Sequence, residues 1–151
     1  MDRLTRGHLL FARVGNSLQS LFLLAVRLYW GWQFAQTGWG KFHRLPQVVE
    51  FFGNLGIPAP AFNAYFISSL ELVGGILFAL GIGSRLLAAL FIGDMIVAYI
   101  TADREALMSI FSDPSKFYNA DPFTFLFASL IIFVFGPGRF ALDYFIERKA
   151  E

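Results

Sequence analysis

Three stretches of this chain are apolar and long enough to sit in a lipid bilayer, and each carries one charged side chain near its middle. Arg27 lies in LFLLAVRLYWGWQFA, Glu71 in YFISSLELVGGILFALGI and Asp94 in LLAALFIGDMIVAYI. A charge at the bilayer centre costs about 2.5–3.5 kcal/mol on insertion scales, so such side chains turn toward a bundle interior rather than toward lipid. The pattern predicts an all-α integral membrane bundle with a polar group inside it.

Composition agrees. Of the 151 residues 56% are hydrophobic, nineteen are Phe and only 15% are charged, against roughly 25% charged in soluble domains. Four transmembrane helices are predicted, over residues 18–39, 61–82, 86–101 and 122–135. Residues 1–17 read as a basic cytoplasmic tail, 18–144 as the membrane domain and 145–151 as a basic C-terminal tail. A signal peptide is not expected, because its apolar core would contain Arg27 and no A-x-A-like cleavage site follows.

Orientation follows from the basic residues. Arg3, Arg6, Arg13, Arg85, Arg139, Arg148 and Lys149 fall on one side and Lys41, Arg44, Arg104 and Lys116 on the other. That excess predicts an inner (plasma) membrane protein with both termini in the cytoplasm.

Several chemistries are excluded or unsupported. The chain has no cysteine, which rules out thiol–disulfide exchange and thiolate ligands within it. No dense basic run points to nucleic acid. Phosphate-cradling, zinc-protease and Ser/His/Asp patterns are absent, and Asp103, Glu105 and Asp113 lack metal-ligand spacing, so no metal site is expected.

The charged residues are the candidates. Counted from the expected span starts, Arg27, Glu71 and Asp94 each lie about 12–15 Å deep, so an Arg27–carboxylate cluster near the midplane is expected. Gly31, Phe34, Gly38 and Lys41 share the Arg27 stripe, while Ala64, Ser68, Gly75 and Phe78 share that of Glu71. Two readings stay open. Arg27 clamps the helices together as a charge partner, or the group binds a ligand or exchanges a proton. Lys41 and His43, at the mouth of the bundle, are secondary candidates; no catalytic residue is assigned.

Joint motifs narrow the reading. They are Arg27 with Gly31, Phe34, Gly38 and Lys41; LGIPAP before ELVGGILFALGIGSRLLAAL; and the late FGPGRFALDYFI. Together they resemble the DoxX family of small four-helix membrane proteins, from about Ala25 to Tyr144. Asp94 departs from the family pattern, which usually has a less acidic residue there. The resemblance implies the membrane subunit of a quinone-linked redox complex, not necessarily catalytic itself, with quinone as its cofactor and none bound covalently. Its partners would be the bilayer, a soluble or membrane redox enzyme and a second copy of itself. A proton-coupled transporter and a non-catalytic scaffold are the rival readings.

Overall fold

The computed structural model describes the backbone of residues 3–150 and the side chains of residues 12–146. Arg3, Arg6, Arg148 and Lys149, on which the tail and orientation readings partly rest, lie outside the described side chains. The described residues are helical and contain no β-strand.

Helix α1 runs unbroken from Arg3 to His43. At about 1.5 Å per residue it is roughly 60 Å long. It carries the first expected span and continues without a break into the segment read as a tail. Helix α2 (Leu45–Asn54) follows and opens with Pro46 in its first turn. Gly56 and Pro58 turn the chain into α3 (Pro60–Ser69). A π-helical turn at Leu70–Gly74 joins α3 to α4 (Gly75–Leu80), so that Pro60–Leu80 forms one rod of 21 residues.

After the Gly81–Gly83 turn comes α5 (Ser84–Thr101). These two rods are long and apolar enough to cross a bilayer. Short helices α6 (Arg104–Met108) and α7 (Pro114–Asn119) build the polar loop. The apolar α8 (Pro122–Phe135) is 14 residues long and stops at Gly136, whose φ of 78° and ψ of −178° suit glycine almost alone. Helix α9 covers Leu142–Ala150.

The bundle packs α1 against α3–α4 and α8, with α5 against α8. One phenylalanine from each long element meets at its centre. Phe34 of α1 stacks on Phe91 of α5 at 3.7 Å and lies edge-on to Phe125 of α8 and Phe78 of α4. Such pairs add about 0.5–1.5 kcal/mol each beyond area burial. Leu23, Ala88, Met95 and Ile132 fill the space around them.

Small residues set the register of α1 on α3–α4. A Cβ on Gly31 would sit 2.7 Å from the Gly75 carbonyl oxygen, and one on Gly75 would sit 2.6 Å from the Ala35 nitrogen. Backbones approach this closely only where side chains are missing. The outer faces remain apolar: Leu28, Trp32, Val73, Leu86, Ile96, Val97 and Val134 are exposed. An outside of that kind, with the polar groups turned inward, is what lipid as solvent demands.

Candidate functional site

Two polar constructions lie inside the bundle, at different levels. The first is a clasp around Arg27. Its side chain is fully buried and donates three hydrogen bonds: Nε to the Pro137 carbonyl at 2.9 Å, Nη1 to Ala79 at 2.9 Å and Nη2 to Phe140 at 3.1 Å. The guanidinium fork, with five donors, can serve three carbonyls left over where helices end.

Gly81 makes room for it. A side chain there would meet Arg27 Nη1 at 2.4 Å and Ala141 at 2.6 Å, and the residue's φ is +77°. Asp143 closes the clasp. Its two carboxylate oxygens accept from the Gly83 and Ser84 backbone nitrogens at 2.7 and 2.8 Å, while its own N–H donates to the Gly81 carbonyl at 2.8 Å. Gly83 precedes α5 and has no side chain, so Asp143 supplies the N-terminal cap from sixty residues away.

The expected ion pair between Arg27 and the intramembrane carboxylates does not form. Arg27 is level with Ala79, eight residues beyond Glu71, which is about 12 Å along the rod. The depth count took α1 to start its span at Leu18, and the Gly31–Gly75 and Gly38–Leu72 contacts impose a different register. Arg27 therefore binds backbone, and its nearby countercharge is Asp143.

The second construction is built on Glu71, in the π-helical turn and only 2% exposed. Lys41, one of the secondary candidates, is its ion-pair and hydrogen-bond partner. Gly38 brings them together, since a Cβ there would sit 2.3 Å from the Leu72 nitrogen. With no side chain at that point, α1 lies directly on the π-helical turn and Lys41, three residues on, reaches the carboxylate. π-Helical turns inside α-helices are frequent at functional sites. Asp94 of α5 lies within hydrogen-bond reach of Glu71 and feels the charge of both Glu71 and Lys41. Its Oδ2 is buried and without a hydrogen-bonding donor.

Glu71, Asp94 and Lys41 are thus brought together, while Arg27 and His43 are not part of the group. His43 is exposed at the end of α1, with Nδ1 2.9 Å from the Trp39 carbonyl oxygen and its ring 4.5 Å from the Trp39 ring.

The three grouped residues line a cavity of about 770 Å³, within the range of small-molecule sites. Its walls are mainly apolar, with Phe51 and Phe52 of α2, Phe66 of α3 and Leu90 of α5 among them. Asp103 and Asp121 also line it, beyond the C-terminal end of α5. Burial, reinforced by the Asp121 charge, raises the Asp103 carboxyl above the usual carboxylate range. Tyr99 donates to the Phe117 carbonyl at 2.7 Å and stacks on that ring, tying the polar loop to α5 beside these acids.

The α2–α3 hairpin was not singled out from sequence, although its Phe-rich amphipathic pattern in VVEFF carried the signal. The role of Asp143 was equally hidden. Only its place in the FGPGRFALDYFI motif marked it.

A bundle with an apolar outside, buried charges and bilayer-length rods defines a small helical membrane protein. The DoxX family profile matches residues 22–104. The chain is 32% identical over 123 residues to CatD of Bacillus subtilis (strain 168), whose name provisionally classes it as an oxidoreductase; the match covers 82% of this chain and 85% of CatD. It is 28% identical over 140 residues to Rv3486 of Mycobacterium tuberculosis (strain ATCC 25618 / H37Rv), named as an uncharacterized membrane protein, covering 85% of this chain and 83% of that one. No solved structure matches significantly. The chain belongs to the DoxX family.

Proposed function

We propose that this DoxX protein is the membrane subunit of a quinone-linked redox complex and that the cavity above Lys41, Glu71 and Asp94 receives the quinone ring. The observation that carries the reading is the pairing of an apolar chamber of about 770 Å³ with one ammonium and two carboxyl groups at its charged side. The chemistry of the donor set fits such a ring. Phe51, Phe52 and Phe66 offer apolar contact, Lys41 is a donor to a carbonyl oxygen, and the carboxyl pair can hold or release a proton. A bound quinone supplies a two-electron, two-proton acceptor.

Charge balance supports proton exchange. With both carboxyl groups ionised the trio carries a net −1 in a poorly solvated interior, and one proton held between Glu71 and Asp94 removes that excess. Electrons enter from a partner enzyme, since the chain has no thiol pair of its own. The same reading puts the protein in the plasma membrane with both termini cytoplasmic, as the Lys/Arg asymmetry suggests. The outward aromatic face of Tyr29, Trp32 and Trp39 is then available to lipid, a partner subunit or a second copy.

Two measurements test the proposal together. Protein extracted gently from native membranes should carry quinone, and Glu71→Gln or Asp94→Asn should lower both the quinone retained and the quinone-reductase activity of the membranes. Quinone-free protein together with unchanged activity in a deletion strain would reject it. Proton-coupled uptake in vesicles under those conditions would favour the transporter reading instead.

A further inference from the structure

The clasp end of the bundle holds a second pocket, of about 470 Å³, that the cavity chemistry does not use. It lies where α4 ends, α5 begins and α8 stops. Arg85 and Arg139 line it, and among the described residues neither guanidinium has an ion-pair or hydrogen-bonding partner. Arg85 lies over the bare backbone of Gly136, where a Cβ would come within 3.2 Å of its Nη2. The Arg139 backbone N–H is 3.4 Å from Ser20 Oγ, which holds that loop against α1.

Ser84 also lines the pocket. It is fully buried, and its Oγ has no hydrogen-bond partner. An orphaned hydroxyl in a buried position is costly unless a ligand meets it. The other charged groups do not cancel the arginines. Asp143 lines the pocket too, but both its oxygens are engaged by the Gly83 and Ser84 N–H groups and Arg27 lies within electrostatic reach of it. Among the described residues the local balance is positive.

The rim identifies the ligand class. Leu86 and Phe135 line the same pocket and are 69% and 61% exposed. A free phosphate has no use for such walls, whereas a lipid needs polar recognition at the head and apolar contact beside it. Basic pockets between helix ends at a membrane face suit anionic head groups. We propose that this pocket binds the phosphate group of an anionic phospholipid, with Arg85, Arg139 and Ser84 at the head group and Leu86 and Phe135 along the first carbons of its chains.

The test uses full-length protein, delipidated in mild detergent and titrated with dioleoyl-phosphatidylglycerol, with dioleoyl-phosphatidylcholine and separately with inorganic phosphate. Native mass spectrometry counts bound lipid, and heating followed by intrinsic tryptophan fluorescence reports stability. Two arginines at the surface predict about a 30-fold preference for phosphatidylglycerol over phosphatidylcholine. The R85Q/R139Q double variant should lose that preference, S84A should weaken binding of both lipids, whose phosphate group is the same, and R104Q in the polar loop should leave binding unchanged. Should the double variant fail to fold, R139Q alone must lower the preference, because that side chain supports no packed backbone.

Equal binding of the two lipids, or an undiminished preference in the folded double variant or, failing that, in R139Q, overturns the proposal. Saturation by inorganic phosphate that blocks phosphatidylglycerol overturns the lipid assignment in favour of a free phosphate ligand. None of these outcomes depends on quinone.

Discussion

Arg27 and Asp143 grip the Gly81–Gly83 turn from opposite sides. The arginine binds the Ala79 carbonyl just before the turn and the Pro137 and Phe140 carbonyls of the returning chain. The aspartate binds the Gly83 and Ser84 N–H groups just after it. Residues from three distant parts of the sequence are thereby joined at one end of the bundle. The late FGPGRFALDYFI motif is thus the other half of the Arg27 site.

Arg27→Met should be strongly destabilising. Hydrogen bonds to charged groups are worth about 1.5–3 kcal/mol each, and three are lost in a place water reaches poorly, so a loss of about 3 kcal/mol or more is expected. Arg27→Lys should fall between, because one ammonium cannot reproduce the planar fork. Released from the clasp, the chain after Gly136 should become accessible. Faster tryptic cleavage at Arg139 in Arg27→Met than in the parent protein is the expected readout, and equal rates would mean that the clasp does not hold this segment.

Glycine contacts predict a contrast between neighbouring helices. Gly38→Ala puts a methyl group 2.3 Å from the Leu72 nitrogen, a backbone atom that cannot swing aside. Moving α1 off the π-helical turn should cost about 1–3 kcal/mol and pull Lys41 from Glu71. Gly93→Ala meets nothing within 4 Å and should gain up to about 1 kcal/mol from helix propensity. Thermal unfolding of the two variants in one detergent checks both signs.

The fold was legible in the sequence where a single helix carried the signal. Ala64, Ser68, Glu71, Gly75 and Phe78 share one face by spacing alone, and all are buried. Tyr29, Trp32, Gln36 and Trp39 on the opposite side of α1 are exposed. What failed was register between helices. Depth was counted from a helix start at Leu18, but α1 begins at Arg3, and close glycine contacts rather than span starts decide which residues face each other. Arg27 therefore slides one end away from the carboxyl groups, and Lys41 takes its place. The cavity was not legible in the same way, because α2 folds back on α3 to make its wall; the amphipathic VVEFF pattern marks α2 as a helix with an apolar face but does not say what that face packs against.

At the cavity's polar end, Asp103 should make stability fall as pH rises. Burial and Asp121 raise its carboxyl in the folded state. Between the unfolded and folded values the native protein then holds more of the proton than the unfolded chain does, so unfolding becomes easier with increasing pH across that window. Asp103→Asn removes the titration. Its melting temperature should exceed that of the parent protein at pH 7, and the difference should shrink toward pH 4. A constant difference across that range would mean that Asp103 acts through packing alone.

The Lys41–Glu71 pair offers the sharpest separation of structure from chemistry. Glu71 is almost wholly buried, while the Lys41 side chain keeps 29% exposure. Lys41→Met strands a buried carboxylate, and removing one partner of a buried pair costs about 3–5 kcal/mol, toward the lower figure where one partner touches solvent. Glu71→Leu should cost less, because Lys41 can turn outward and carry its ammonium to water. The double variant Lys41→Met/Glu71→Leu should recover most of the loss, since an apolar pair of similar volume often replaces an ion pair without penalty. Thermal unfolding of the four proteins gives the coupling energy directly. Function should divide differently. If the pair only holds α1 against the π-helical turn, the double variant regains activity along with stability. If Lys41 and Glu71 serve the ligand in the cavity, the double variant is folded and stable yet fails to restore quinone-dependent activity to a deletion strain at matched expression. Full restoration would leave the cavity without its proposed chemistry.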